Sequence, residues 1–165
     1  MLLCRRATAA DVDLFREIRL QALQDSPEAF GSTYESAIER SQDSWREQLV
    51  STVDGGLRNT QFVFDGDSCV GLGALYREDG SVSGDLIMMW ISPEVRSSGA
   101  GSMIVDNLLL WAGNNGFKSV SLVVTDSNTR GIKFYENCGF RNTGEIVDVD
   151  LSRGLKGIRM LQELS

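Results

Sequence analysis

Ten residues near the middle of the chain, Pro93 to Ser102, read PEVRSSGAGS and carry the first chemical signal. Arg96 is followed by Ser97 and Ser98, then by Gly99 and Gly101 with Ala100 between them, at the junction of an apolar run and a helix-like segment. Glycine costs backbone entropy, so two in one short turn point to a special conformation or a close approach by another group. At a helix N-terminus, free N–H groups and the dipole favour an anion. Successive amides in such a turn, from Ser97 to Ser102 here, can also form a concave anion nest. Close helix–strand packing would call for the same glycines, so the turn alone leaves both readings open. The familiar nucleotide motifs do not fit. A dinucleotide fingerprint needs Gly or Ala where Ile104 stands, and a Walker loop needs a Gly-Lys pair that the chain lacks.

The chain has no histidine among its 165 residues, which excludes Ser-His-Asp and Cys-His catalysis. Any general base must be a carboxylate, an amine, a phenolate or water. Cys4, Cys69 and Cys138 are odd in number and far apart, which reads as reduced, buried thiols rather than a disulfide framework or metal ligands. No metal is expected. A net charge of −7 disfavours nucleic acid and suits a cationic co-substrate such as an amine. No apolar run reaches the roughly 18 residues of a membrane helix. Arg5 and Arg6 follow the first apolar residues, the reverse of a secretory signal, so a cytoplasmic protein is expected.

The elements that must position this turn are legible from periodicity. LLCRR reads as a first strand. A helix follows, with Thr8 and Asp11 spaced as a capping box and Leu14, Ile18 and Ala22 on one face. Pro27 ends it. After a loop that carries Phe30 and Tyr34, SQDSWREQLVS reads as a shorter helix. Residues 60–93 hold three apolar runs separated by turn sequences, and GLGA at 71–74 marks a tightly packed or bulged strand. Ile104, Leu108 and Trp111 then recur at helical spacing. SVSLVVTD is a buried-type strand, and NTRGIKFYENCG a short helix capped by Ser127 or Asn128 and stopped at Gly139. Two final strands complete an α/β domain with a mixed sheet, read as a single domain over 1–165. Phe30 and Tyr34 are candidates for the acceptor pocket, because binding residues concentrate on loops.

The second stretch gives the first a context. NTRGIKFYENCGF carries Asn128, Tyr135, Gly139 and Phe140. Together with Arg96, Gly99 and Gly101 it resembles the GNAT superfamily, the GCN5-related N-acetyltransferases, in order and in spacing. The resemblance extends over nearly the whole chain and implies a mostly antiparallel central sheet flanked by helices. It implies that acetyl-CoA lies in a V-shaped gap between DLIMMWISP and SVSLVVTD. The pantetheine arm would pair with the backbone of Met89, Trp90 and Ile91, and the pyrophosphate would rest on Ser97 to Ser102. An N–H of Met89 or Trp90 would hold the developing oxyanion.

By the same resemblance, Tyr135 is the acid that protonates the leaving thiolate, and Asn128 helps hold the cofactor arm while capping its helix. Asp85 stands where relatives often carry a glutamate base; Glu35, Asp79, Asp126 and ordered water are lesser candidates. The pattern departs at Ser97 and Ser98, where many relatives have glycine and a basic residue, which would loosen the hold on phosphate. The implied activity is acetyl transfer from acetyl-CoA to a primary amine of a small molecule or peptide. The resemblance also suggests a homodimer formed through terminal strands. A non-catalytic acyl-CoA-binding or protein-interaction module on the same fold is the alternative.

Overall fold

The computed structural model describes residues 1–165. β1 (Leu2–Arg6) leads through a 3-10 turn into α1 (Val12–Asp25). A second 3-10 turn at Pro27–Ala29 precedes α2 (Tyr34–Ile38) and α3 (Gln42–Val50). A meander of β2 (Arg58–Asp65), β3 (Ser68–Tyr76) and β4 (Ser83–Ile91) comes next. α4 (Ala100–Asn114) crosses to β5 (Ser119–Thr125), and α5 (Thr129–Asn137) precedes the hairpin of β6 (Arg141–Asp150) and β7 (Leu155–Glu163). The strands form one seven-stranded sheet in the order β1-β2-β3-β4-β5-β7-β6. Every neighbouring pair is antiparallel except β4 and β5. This is the mixed, mostly antiparallel sheet that the sequence implied. No helix is long and apolar enough to cross a membrane.

Alternation along the strands sorts the core into two layers. Phe62 faces Phe15 and Trp45 of the α1–α3 side, while its neighbour Val63 faces Ile104 and Leu108 of α4. The entry to α1 is held as its spacing suggested. The Asp11 carboxylate accepts the Thr8 N–H at 2.7 Å and both guanidinium nitrogens of Arg5 at 2.8 and 3.0 Å, tying β1 to the helix. The segment expected to be a loop after Phe30 contains α2. Thr33 caps it by accepting the Ser36 N–H, and Ala37 is buried beneath, so Tyr34 belongs to a packed helix.

β4 departs from regular pairing in two ways. Opposite β3, Ala74 pairs with Ile87 and Leu72 with Trp90, so Met88 and Met89 together oppose Gly73. Met88 takes a left-handed backbone, φ +58, to accommodate the extra residue. Gly73 is required here because a Cβ would collide with the Met89 sulfur and with Ile104. The bulge also reverses which face each residue meets. Leu86 packs in the α4 layer, whereas Met88 and Trp90 pack in the α1 layer and Met89 and Ile91 against the α4 layer. On its other edge β4 pairs with β5 only over Ser83–Asp85 and Ser119–Ser121.

Candidate active site

Beyond those three pairs β4 and β5 part, while β5 continues to pair with β7 as far as Thr125. The fork leaves backbone groups of β4 without a strand partner. A cavity of about 950 Å³ opens there, walled by Met89, Trp90 and Ile91 on one side and by Asn128, Phe134 and Tyr135 of the α5 region on the other. Arg96, Ser97, Gly99, Gly101 and Ser102 line it from the glycine turn, and Ser26, Glu28, Ala29 and Phe30 from the segment after α1.

The two glycines of the turn answer to different constraints. Gly99 is the N-cap residue of α4 with φ +95, and a Cβ there would meet no atom; conformation alone asks for glycine. Gly101 has ordinary backbone, but a Cβ would lie 3.0 Å from the Phe134 ring of α5. Packing and conformation are therefore both present, one at each position. The N–H groups of Gly99, Ala100, Gly101 and Ser102 open α4 and find no acceptor in the chain. Ser97 is held at φ +69, a strained setting for a residue other than glycine. Open amides at a helix N-terminus suit a pyrophosphate. Ala100 is buried and Ser98 turns its hydroxyl onto the Val95 carbonyl, so neither offers a side chain to the cavity.

Arg96 does not point its guanidinium into this nest. Nε donates to the Ile91 carbonyl at 2.8 Å and Nη2 to the Asp25 carboxylate at 2.6 Å. The Ile91 carbonyl is thereby occupied. The cation missing beside the serines comes instead from α5, where Arg130 Nη2 donates to Ser97 Oγ at 3.0 Å. Lys133, one turn further along α5, also borders the cavity.

Tyr135 lines the cavity with its ring edge-on to Phe134 and Phe140, centroids 5.1 and 6.0 Å away. Burial pushes its phenol above the usual value near 10, so it holds its proton across the physiological range. Asn128 caps α5, its Oδ1 accepting the Gly131 N–H at 2.9 Å, and borders the cavity as well. Phe30 is buried and lines the cavity from the segment after α1.

Asp85 lies elsewhere than the sequence suggested. It stands at the vertex of the fork, paired with Ser121, whose hydroxyl donates to it at 2.9 Å, and it does not line the cavity. Its position follows from the pairing, since β4 separates from β5 only after this residue. Tyr34, Glu35, Asp79 and Asp126 do not line the cavity either. One carboxylate does: Glu28, exposed on the 3-10 turn. Sequence reasoning passed over it, although it stands two residues before Phe30 on the same loop.

A strand fork, a bulge beside it and a helix N-terminus with open amides thus meet at one cavity. Residues 19–140 match the acetyltransferase (GNAT) family model, and the chain belongs to that family. It is an acyltransferase by class. Its fold is that of a GNAT-family acetyltransferase from Streptococcus pneumoniae, with a TM-score of 0.84 at 19% identity over 100% of both chains. PaiA N-acetyltransferase from Thermoplasma acidophilum, solved with coenzyme A, gives a TM-score of 0.76 at 15% identity over 99% of each chain. Spermidine N-acetyltransferase from Vibrio cholerae, solved with CoA and spermine, gives 0.76 at 18% identity over 98% of this chain and 95% of that one. No curated protein sequence matches significantly.

Proposed function

We propose that this protein transfers the acetyl group of acetyl-CoA to a primary amine, and that residues 1–165 act as one catalytic unit. The observation that carries this reading is the continuous cavity joining the open amides of Gly99–Ser102 to the single carboxylate Glu28, with Tyr135 on its wall. When bound, acetyl-CoA supplies an activated thioester. The amine nitrogen forms a bond to the carbonyl carbon and the carbon–sulfur bond breaks. Tyr135 gives its proton to the departing thiolate, and the proton leaving the amine passes to Glu28, directly or through water. An N–H of Met89 or Trp90 steadies the oxyanion. Holding both reactants in one cavity supplies the positional advantage.

Glu28 takes over the role first assigned to Asp85, because a base must reach the amine. It would also attract an ammonium group to the part of the cavity lined by the segment after α1. Both relatives solved with CoA are N-acetyltransferases, which is consistent with an amine acceptor. A cytoplasmic homodimer belongs to the same reading, with β6, one of the two edge strands of the sheet, as the strand that would meet its copy.

The test is thiol release from acetyl-CoA in the presence of spermine, free lysine and a peptide with an unblocked N-terminus. Thiol release that requires one of these amines supports the transferase reading. Glu28→Gln should then lower kcat/KM for that amine by about tenfold or more, and Asp85→Asn should change it less. Saturable binding of acetyl-CoA with no release across the amines would favour a non-catalytic acyl-CoA-binding module instead.

A further inference from the structure

Asp25, the last residue of α1, lies outside the cavity, yet one of its oxygens gathers donors from three of the segments that line it. Oδ2 accepts from Arg96 Nη2 at 2.6 Å, from Trp90 Nε1 at 2.9 Å and from Ser26 Oγ at 2.7 Å. Arg96 belongs to the glycine turn, Trp90 to the end of β4 beyond the bulge, and Ser26 begins the lining segment after α1. Arg96 adds a second bond from Nε to the Ile91 carbonyl at 2.8 Å, so its guanidinium spans β4 and α1.

The residue after Arg96 is Ser97, held in the left-handed region. Such a conformation persists only when its surroundings over-determine it. Arg96 and Asp25 provide that restraint from one side, and Arg130 from the other. Charge-assisted bonds to a single carboxylate oxygen are stronger than neutral ones, and a planar guanidinium fixes direction as well as distance. Burial acts to raise the Asp25 carboxyl, but the bonds from Trp90, Ser26 and Arg96 outweigh it and hold the group below the usual carboxylate range. It is ionised at neutral pH.

We propose that Asp25 is a positioning residue for acetyl-CoA. Through Arg96 and Trp90 it fixes the glycine turn and the end of β4, and Arg96 serves the cofactor through this brace rather than by contacting phosphate. The inference rests on the acetyl-CoA reading above. It assigns the arginine of the turn a mechanical task and leaves the charge contact with phosphate to the amides and to Arg130.

The experiment is a calorimetric titration of the full chain with acetyl-CoA alone, which needs no knowledge of the amine. Wild type, Asp25→Asn, Arg96→Ala and the double variant are compared. Each single change should weaken binding by about three- to tenfold, and the double should be no weaker than the worse single, since both remove one shared brace. In the free protein, the indole N–H resonance of Trp90 should move in Asp25→Asn, because its acceptor changes from a charged to a neutral oxygen. Losses that add in the double variant, or unchanged binding by Asp25→Asn while wild type binds, would overturn the inference alone. Wild type that does not bind acetyl-CoA overturns the functional reading and this inference together.

Discussion

At the residue scale, the site depends on side chains whose surroundings alter their ordinary chemistry. Tyr135 is the clearest case. A phenol near 10 is already a weak acid, and burial raises it further, so it remains protonated at any pH where the protein would work. That keeps a proton in place beside a departing thiolate and argues against a tyrosinate base, while making the phenol a weaker acid than the thiol it would protonate. The sign is fixed: deprotonating Tyr135 begins only well above its ordinary range, so a fall in rate at mildly alkaline pH must come from another group. Tyr135→Phe removes the proton while keeping the ring against Phe134 and Phe140. It should lower kcat by about ten- to a hundredfold and leave acetyl-CoA affinity within about twofold. Turnover equal to wild type would remove Tyr135 from the chemistry. The three cysteines illustrate the opposite case. All are free and partly buried, and burial raises each thiol, Cys69 to about 11, which leaves them protonated and unreactive.

At the element scale, what was legible in the sequence was whatever a local rule controls. The capping spacing of Thr8 and Asp11 and the cap at Asn128 place helix ends, and alternation places strands. GLGA read as a tightly packed or bulged strand and is both, since Gly73 lies at the register shift and a Cβ there would meet Met89 and Ile104. The extent of the fork was not legible from these rules. It depends on where β4 stops pairing with β5, and that puts Asp85 at the vertex instead of in the cavity. α2 was missed because its five residues are too short to display a helical period. The lining segment after α1 was hidden for another reason: a residue distant in sequence fixes it. Arg153, in the turn between β6 and β7, donates to the carbonyls of Pro27, Phe30 and Gly31 at 2.8, 2.6 and 3.3 Å. Asp150 orients it through Nε at 2.6 Å. A guanidinium's spread fork of donors reaches these three carbonyls and Asp150 together, which a compact ammonium would not match. Arg153→Ala should therefore raise KM for the accepted amine by about fivefold or more while the KM for acetyl-CoA stays nearly constant. Arg153→Lys should recover only part of the loss. Equal changes in both KM values would mean that the clamp supports the whole cavity rather than its acceptor end.

At the scale of the whole molecule, an electrostatic problem remains. The chain carries a net charge of −7, yet the proposed cofactor is a polyanion. A uniformly acidic surface would repel it, and repulsion between like charges reaches about a Debye length, roughly 8–10 Å at moderate salt. The molecule resolves this by segregation. Arg130 and Lys133 stand on the same exposed stretch of α5 beside the open amides, and neither has an acidic partner within salt-bridge distance. The carboxylate Glu28 lies in the wall contributed by the segment after α1. The cavity thus carries basic side chains along α5 and one carboxylate in the segment after α1, an arrangement that matches the proposed cofactor and amine in a protein that is acidic overall. This arrangement makes a prediction that a packing role for α5 does not. Replacing both Arg130 and Lys133 by alanine should weaken acetyl-CoA binding by about tenfold at low ionic strength, and the gap should narrow to about twofold near 0.5 M salt as screening removes the field. Thermal stability should hardly change, because exposed, unpaired charges contribute little to folding. A loss of affinity that persists undiminished at high salt would show that α5 holds the cofactor by shape and not by charge.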